Sequence, residues 1–270
     1  MSPSAQAALL GVVQGATEFL PVSSTAHLIL ARAWFGFDAD KFGLAFDVAC
    51  HLGTLIAVLI YFRAELARMI RAIPDLAAPA RNQEARLIWL LGIATIPAVI
   101  VGALFKHVIE DRLRTVLVCA VALAVGGVLL AVADHVGSKT RNERSLGIGD
   151  ALWIGCAQAV ALIPGVSRSG ATITAALLLG MARQEAARFI FLLSIPAILG
   201  AAVSEAPAIL KAGVQGDERT LFVIGVVTSA IVGYVAVSSF IRFLGRHSLD
   251  VFAWYRVALA GVAAIWLLAQ

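Results

Sequence analysis

What this chain lacks above all is charge. Asp, Glu, Lys and Arg make up only 14% of its 270 residues, against 60% hydrophobic. A soluble domain is about half apolar and about a quarter charged, and so short a chain cannot hide this much apolar surface from water. With a mean hydropathy of +0.91, the solvent for most of the molecule is lipid, and disordered, collagenous and coiled-coil classes are excluded. Cysteine is scarce too. Cys50, Cys119 and Cys156 lie far apart and form no Cys-x-x-Cys. They read as small buried apolar side chains rather than a disulfide framework or a metal site. Polybasic runs and aromatic–basic interleaving are absent, so no nucleic-acid partner is expected. The net charge of +4 reads as the positive-inside bias of a membrane protein. No Lys or Arg precedes Arg32, so a cleaved signal peptide is not expected.

What is present is apolar length. Six stretches, 44–62, 87–105, 115–134, 189–204, 221–241 and 251–268, approach the roughly 20 helical residues that cross the hydrocarbon core. The fourth is the shortest and contains Pro196. Two further regions are apolar but broken. Gln14, Glu18, Pro21, Ser23, Ser24, Thr25 and His27 interrupt 5–35, and Gln158, Pro164, Gly165, Ser167, Arg168, Ser169 and Gly170 interrupt 151–181. Each half has the length of a re-entrant half-helix, about 10–14 residues. Non-helical backbone at that depth must be buried in protein or line a wet cavity. The alternative, one proline-kinked span in each place, does not require so many polar side chains beside the kink.

The broken regions resemble each other. Gly11-Val-Val-Gln14 matches Gly155-Cys-Ala-Gln158 and Val22-Ser23 matches Val166-Ser167, both at an offset of 144. Three spans follow each copy, so the second copy must be inverted relative to the first. The expected architecture is an all-α polytopic membrane protein of two inverted repeats in one integral-membrane domain. Residues 1–145 hold a re-entrant hairpin at 3–35 and three transmembrane helices; 146–270 repeat the plan with a hairpin at 150–181. The loops 63–86, 135–149, 180–188 and 242–250 carry 12 Lys and Arg, against 7 in the N-terminal 43 residues, 106–114, 205–220 and the C-terminus. Positive-inside then puts the first set in the cytoplasm and both termini outside.

Gln14 and Glu18 are four apart and share a helix face. An ionisable residue at membrane depth is a functional candidate by default. Ser23, Ser24 and Thr25 are good N-caps for the second half-helix, and His27 falls in its first turn. Taken singly, the hydroxyls need only satisfy broken backbone and Glu18 needs only a buried Arg partner. Carboxylate, hydroxyls and imidazole within ten residues together point to a site. The second hairpin complements it: Pro164 to Thr172 feeds a helix N-terminus, which attracts anions, and Arg168 adds a donor fork suited to phosphate. A carboxylate facing an anion site calls for a bridging cation. Mg²⁺ typically takes one or two carboxylates plus substrate phosphate, and phosphoryl transfer needs metal, Arg and a positioned nucleophile.

Gln14-Gly-Ala-Thr-Glu18-Phe-Leu-Pro-Val-Ser-Ser24-Thr-Ala-His27 and Pro164-Gly-Val-Ser-Arg168-Ser-Gly-Ala-Thr172 resemble the two signatures of bacterial undecaprenyl-diphosphate phosphatases, also called bacitracin-resistance proteins. Phe46-Asp47, His51-Leu-Gly53-Thr54 and Tyr255-Arg256 extend the resemblance over nearly the whole chain. It implies hydrolysis of a C55 polyprenyl diphosphate to the monophosphate carrier of cell-wall synthesis, with a divalent cation, Mg²⁺ or Ca²⁺, in the bacterial inner membrane. It assigns Glu18 and Gln14 to metal and water positioning, and Ser24 and His27 to nucleophile or general base. Arg168 with Ser167, Ser169 and Thr172 would hold the diphosphate, with Ser23, Thr25 and Gly170 alongside. Two positions depart from the pattern. Gln14 stands where the family often has Glu, leaving one carboxylate, and Ala26 stands where Gly is usual.

The partners expected are the lipid substrate and membrane lipid, with a homodimer left open. Asp47 and linker 36–43 crowd polar groups at the outer end of the first hairpin, so the cavity mouth is expected on the periplasmic face. Asp47 and His51, four apart, read as structural or at most as supports of the site residues, and His107, His135 and His247 as solvated loop residues. Arg256 is expected to pair with a buried acid that the sequence does not identify. The competing reading is a transporter or flippase of a phosphorylated polyprenyl lipid, which needs Arg168 and the helix ends but not Glu18 with His27.

Overall fold

The computed structural model describes residues 1–38, 41–212 and 216–270; linker 36–43 and loop 205–220 fall partly outside that range. Apart from one bridge pairing Arg141 with Met181, the described secondary structure is helical. The helices are α1 (Pro3–Glu18), α2 (Ser24–Phe35), α3 (Leu44–Tyr61), α4 (Arg63–Arg71), α5 (Gln83–Val108), α6 (Val116–Val136), α7 (Ile148–Val160), α8 (Arg168–Leu178), α9 (Arg183–Ala212), α10 (Gly216–Leu244) and α11 (Asp250–Leu268). Six of them, α3, α5, α6, α9, α10 and α11, are long and apolar enough to cross a membrane. The fourth span is longer than its sequence suggests: α9 runs 30 residues through Pro196 and Pro207. Large apolar side chains such as Val99, Leu104, Val121, Leu129, Ile231 and Ile265 are exposed around the circumference, as lipid contact requires. Cys156 is exposed among them, correcting its reading as buried; only Cys50 and Cys119 lie in the interior.

The two broken regions are pairs of short helices, not kinked spans. Helix α1 has 16 residues, α2 12, α7 13 and α8 11. Even 16 residues reach only about 24 Å, short of the roughly 30 Å core. Within each pair the helices pack on one another, α1 on α2 and α7 on α8. Close packing between the halves depends on small residues, as is common where lipid gives no hydrophobic drive between helices. A Cβ at Gly11 of α1 would lie 2.8 Å from Gly225 O of α10, and one at Gly155 of α7 would lie 2.6 Å from Ala94 O of α5. Gly11 and Gly155 are the residues matched in sequence. Each seats its half-helix against the second long span of the other half.

Polar anchors fix the helix ends. Asp134 at the end of α6 accepts from Arg183 Nε (2.6 Å) and from Leu249 N (2.9 Å), tying α9 and α11 to α6. Arg141 pairs with Asp150 at the start of α7 (2.7 Å), and its hydrogen bond holds that carboxyl below the usual range. His107 and His135 lie on the last turns of α5 and α6 rather than in loops, and His135 Nε2 approaches Asp250 (3.1 Å).

Among the described residues Arg256 has no acidic partner, contrary to expectation. It is fully buried, and its guanidinium donates to Pro21 O (3.3 Å), Ala122 O (3.2 Å), Gly165 O (3.2 Å) and Val166 O (2.8 Å). These include carbonyls that the two helix breaks leave without intrahelical donors, so one side chain ties both breaks to α6 and α11. Replacing Arg256 by Met is expected to destabilise the protein by about 2–5 kcal/mol, because each orphaned buried acceptor costs about 1–3 kcal/mol. An unchanged melting temperature in detergent would show that those carbonyls find other donors.

Candidate active site

The site is built where the two breaks meet. Ser23 and Ser167 cap α2 and α8 with φ of 71° and 73°, a region that non-glycine residues rarely occupy. Such strain costs about 1–3 kcal/mol per residue and concentrates at functional sites. In both turns the serine Oγ accepts from the backbone N–H three residues on, Ala26 N (3.4 Å) and Gly170 N (3.1 Å). The first N–H groups of α2 and α8 have no intrahelical acceptor. Gly170 is the place where α8 passes the Arg256 guanidinium; a Cβ there would collide with Nη1.

Glu18, buried at the end of α1, is the hub. Arg168 Nη2 donates to its Oε1 (2.6 Å), while Ser24 Oγ (2.6 Å) and Gln14 Nε2 (2.8 Å) donate to its Oε2. His51 Nε2 lies 3.4 Å from the same Oε2. Arg168 Nη1 also donates to Ser194 O of α9 (3.2 Å), so the fork spans two helices. Ser169 Oγ donates to Leu20 O (2.9 Å), locking the start of α8 to the first break. At the offset of 144, Glu18 corresponds to Leu162 and Ser24 to Arg168. The two hairpins share a backbone plan but carry complementary chemistry.

Other candidates are placed less directly. The Thr172 hydroxyl donates to Arg168 O (2.6 Å), within its own helix. Ser167 and Ser169 hydroxyls lie 3.2 Å apart, and Thr25 is half-buried beside Ser24. His27 stands apart from the Glu18 hub in its bonding. Its Nδ1 donates to Ser23 O (2.7 Å), so the neutral ring presents a lone pair on Nε2, and Tyr255 Oη donates to it (2.7 Å). The Ser24 hydroxyl is bonded to Glu18, not to His27.

Asp47 and His51 form a polar chain that reaches the site. Asp47 receives both Arg32 and Arg114 in the first turn of α3, and His51, one turn further along, reaches Glu18. Among the described residues no group of three His, Cys, Asp or Glu side chains assembles as a metal cage. The donor set nonetheless suits a hard cation shared with a ligand. Gln14 is fully buried, and its Oε1 has no partner among the described residues beside a carboxylate and a hydroxyl, all oxygen donors of the kind Mg²⁺ and Ca²⁺ take.

The family model described as bacitracin resistance protein BacA matches residues 7–262. The chain belongs to the BacA family. It is 48% identical over 266 residues to the undecaprenyl-diphosphatase of Rubrobacter xylanophilus, covering 97% of this chain and 98% of that one. Similar coverage relates it to the undecaprenyl-diphosphatases of Trichlorobacter lovleyi (43% identity; 97% of this chain, 96% of the relative) and Thermomicrobium roseum (45%; 94% of each). In this BacA chain the two signature segments read from sequence are the two segments that meet at Glu18 and Arg168. The hydrogen bond of Tyr255 to His27 and the approach of His51 to Glu18 are contacts that the sequence did not specify. For His51 the available signal was its i, i+4 spacing from Asp47; for Tyr255 it was a polar side chain beside Arg256 in an apolar span.

Proposed function

We propose that this chain is an integral-membrane phosphatase that hydrolyses undecaprenyl diphosphate to undecaprenyl phosphate and inorganic phosphate, recycling the lipid carrier for cell-wall synthesis and so conferring bacitracin resistance. The observation that carries this reading is the junction of Glu18, Ser24 and Arg168 at two half-helix N-termini, in a chain nearly half identical to curated diphosphatases over almost its full length. Arg168 and the N–H groups opening α8 bind the diphosphate. Glu18 then exchanges its Arg168 partner for the role its Oε2 already has toward Ser24: it takes the hydroxyl proton as Ser24 Oγ attacks the terminal phosphorus. The anhydride P–O bond breaks, and lipid monophosphate leaves. Water then attacks the phosphoserine: His27 Nε2 accepts the water's proton once Tyr255 yields that lone pair, the Ser24 Oγ–P bond breaks, Glu18 returns its proton to Ser24 Oγ, and inorganic phosphate leaves. A divalent cation, held by Glu18 and Gln14 and by the diphosphate itself, would supply charge neutralisation on the phosphoryl oxygens.

The test uses undecaprenyl diphosphate labelled with ³²P in its terminal phosphate and purified protein in detergent, with and without chelator. Detergent removes the two-sided membrane, so transport alone releases nothing. Released labelled phosphate, lost on chelation, is the expected result, and rapid quenching should trap acid-stable phosphoserine at Ser24. Absence of release overturns the assignment. Phosphohistidine at His27 would transfer the nucleophile's role to that ring.

The two halves are read as inverted repeats in the inner membrane. Support comes from their matched glycines, matched positive-φ serines and crosswise packing. A periplasmic mouth is favoured by the polar path that runs inward from Arg32, Asp47 and Arg114 through His51 to Glu18, starting at the end of α3 that carries fewer basic residues. Thr25→Cys, in a background lacking Cys50, Cys119 and Cys156, should be labelled in intact cells by a membrane-impermeant thiol reagent and protected by undecaprenyl diphosphate. Labelling confined to inverted vesicles would reverse the orientation.

A further inference from the structure

We infer that His51 is a direct nitrogen ligand of the divalent cation, making the site a mixed nitrogen–oxygen one; the inference rests on the reading that a cation sits at Glu18. His51 Nδ1 lies 2.7 Å from Asp47 O. A carbonyl only accepts, so Nδ1 carries hydrogen and Nε2 of the neutral ring presents a lone pair. That lone pair faces Glu18 Oε2 across 3.4 Å. Two acceptors so placed need something electropositive between them, a second ring proton or a metal ion, and a cation at Glu18 supplies the ion. Donors about 2.0–2.2 Å from one ion and roughly at right angles or tetrahedral are about 3.0–3.5 Å apart, which matches the observed spacing.

The neighbours fit the same account. A half-turn of the Gln14 amide, which leaves its shape unchanged, brings the unpartnered Oε1 to where Nε2 now stands, 2.8 Å from Glu18 Oε2. Amide oxygen, Ser24 hydroxyl and imidazole then all surround Glu18 Oε2, and small shifts from 2.8 and 2.6 Å would bring the first two to the same co-ligand spacing. With Gln at position 14 the site has one carboxylate, and a neutral nitrogen donor completes it without adding charge. The bond from Nδ1 to Asp47 O, with Asp47 itself held by Arg32 and Arg114, is the kind of support that fixes a ligating ring's tautomer and direction. An imidazole ligand also moves preference away from Ca²⁺ toward Mn²⁺ and later metals.

The probe is Mn²⁺ alone, added to the purified full-length protein in detergent and followed by electron paramagnetic resonance. Wild type should bind Mn²⁺ and show ¹⁴N modulation from a directly bound imidazole. Selective ¹⁵N-histidine labelling should replace that signal with the ¹⁵N pattern, without any substitution. His51→Gln should lose the modulation and bind Mn²⁺ at least about tenfold more weakly. Mn²⁺ that binds wild type and is lost in Glu18→Gln, yet shows no histidine nitrogen coupling, overturns the His51 ligand and leaves the cation at Glu18 standing. Coupling that persists in His51→Gln overturns the His51 ligand in the same way. Failure of wild type to bind Mn²⁺ overturns the cation reading, and the ligand with it.

Discussion

Glu18→Gln is expected to lower phosphate release by about 10²–10⁴-fold, the range of a positioned proton acceptor, and to lower stability as well. The amide keeps the shape of the side chain, but it cannot take a proton from Ser24 Oγ. It also turns one of the two acceptors that receive Arg168, Ser24 and Gln14 into a donor. From sequence alone, a charge at membrane depth reads as a cost whose removal relieves the fold. The ion pair with Arg168 reverses that sign. Both partners lie mostly inside the protein, with side chains 5% and 19% exposed, and orphaning one member of a buried pair costs about 3–5 kcal/mol. Hydration of the part of the Arg168 side chain that stays exposed, 19%, returns some of this. Phosphate release and detergent melting should therefore be measured on one preparation, well below its melting point. Activity within about threefold of wild type would remove Glu18 from the mechanism. A melting point equal to wild type would mean that Arg168 finds another counter-charge.

The fold was legible in the sequence wherever hydrophobicity dictates it. Six spans and two broken regions follow from runs of apolar residues of a given length, because lipid forces every backbone group into a helix or a protected break. The boundaries of α9 were less visible. Pro196 looks like an interruption, yet neighbouring helices support the chain around it and α9 continues through Pro207. The chemistry near each break was also visible, since polar residues at that depth have few reasons to be there. What sequence left unresolved was the pairing between elements distant in the chain. Glu18 and Arg168 are 150 residues apart, and His27 and Tyr255 are 228 apart. Nothing in their local patterns specifies which atoms touch. Arg256 shows the same limit. A buried cation in an apolar span suggests an acid partner, but carbonyls, three of them from the two turns, occupy both terminal nitrogens of this guanidinium, leaving Nε without an acceptor among the described residues. That need exists only once both breaks are brought together. The division of labour at the site had the same status: Ser24 beside His27 in sequence implies a serine–histidine pair, while in space the serine hydroxyl turns to Glu18 and the imidazole to Tyr255.

Arg168→Lys is expected to fail in catalysis almost as completely as Arg168→Ala, while the two variants separate in stability. The guanidinium makes two bonds in different directions, Nη2 to Glu18 Oε1 and Nη1 to Ser194 O. In the proposed mechanism a diphosphate displaces Glu18, and the same planar fork would meet two phosphoryl oxygens at once. An ammonium reaches the site as a point charge without that geometry. Loss of a charge-stabilising contact made in the transition state costs about 10²–10³-fold in rate, and Lys is expected to recover no more than about tenfold of it. Stability answers a different question. Glu18 needs a nearby positive charge in the free protein, which Lys supplies and Ala does not, so Arg168→Ala should melt lower than Arg168→Lys. The informative result is therefore a divergence: Lys near wild type in the melting curve and near Ala in phosphate release. If Lys instead restored most of the activity, simple charge neutralisation at the mouth of α8 would account for the residue, and the fork would have no special part. If Lys and Ala melted alike, the Glu18–Arg168 pair would not be what holds the two hairpins together, and that role would fall to Arg256.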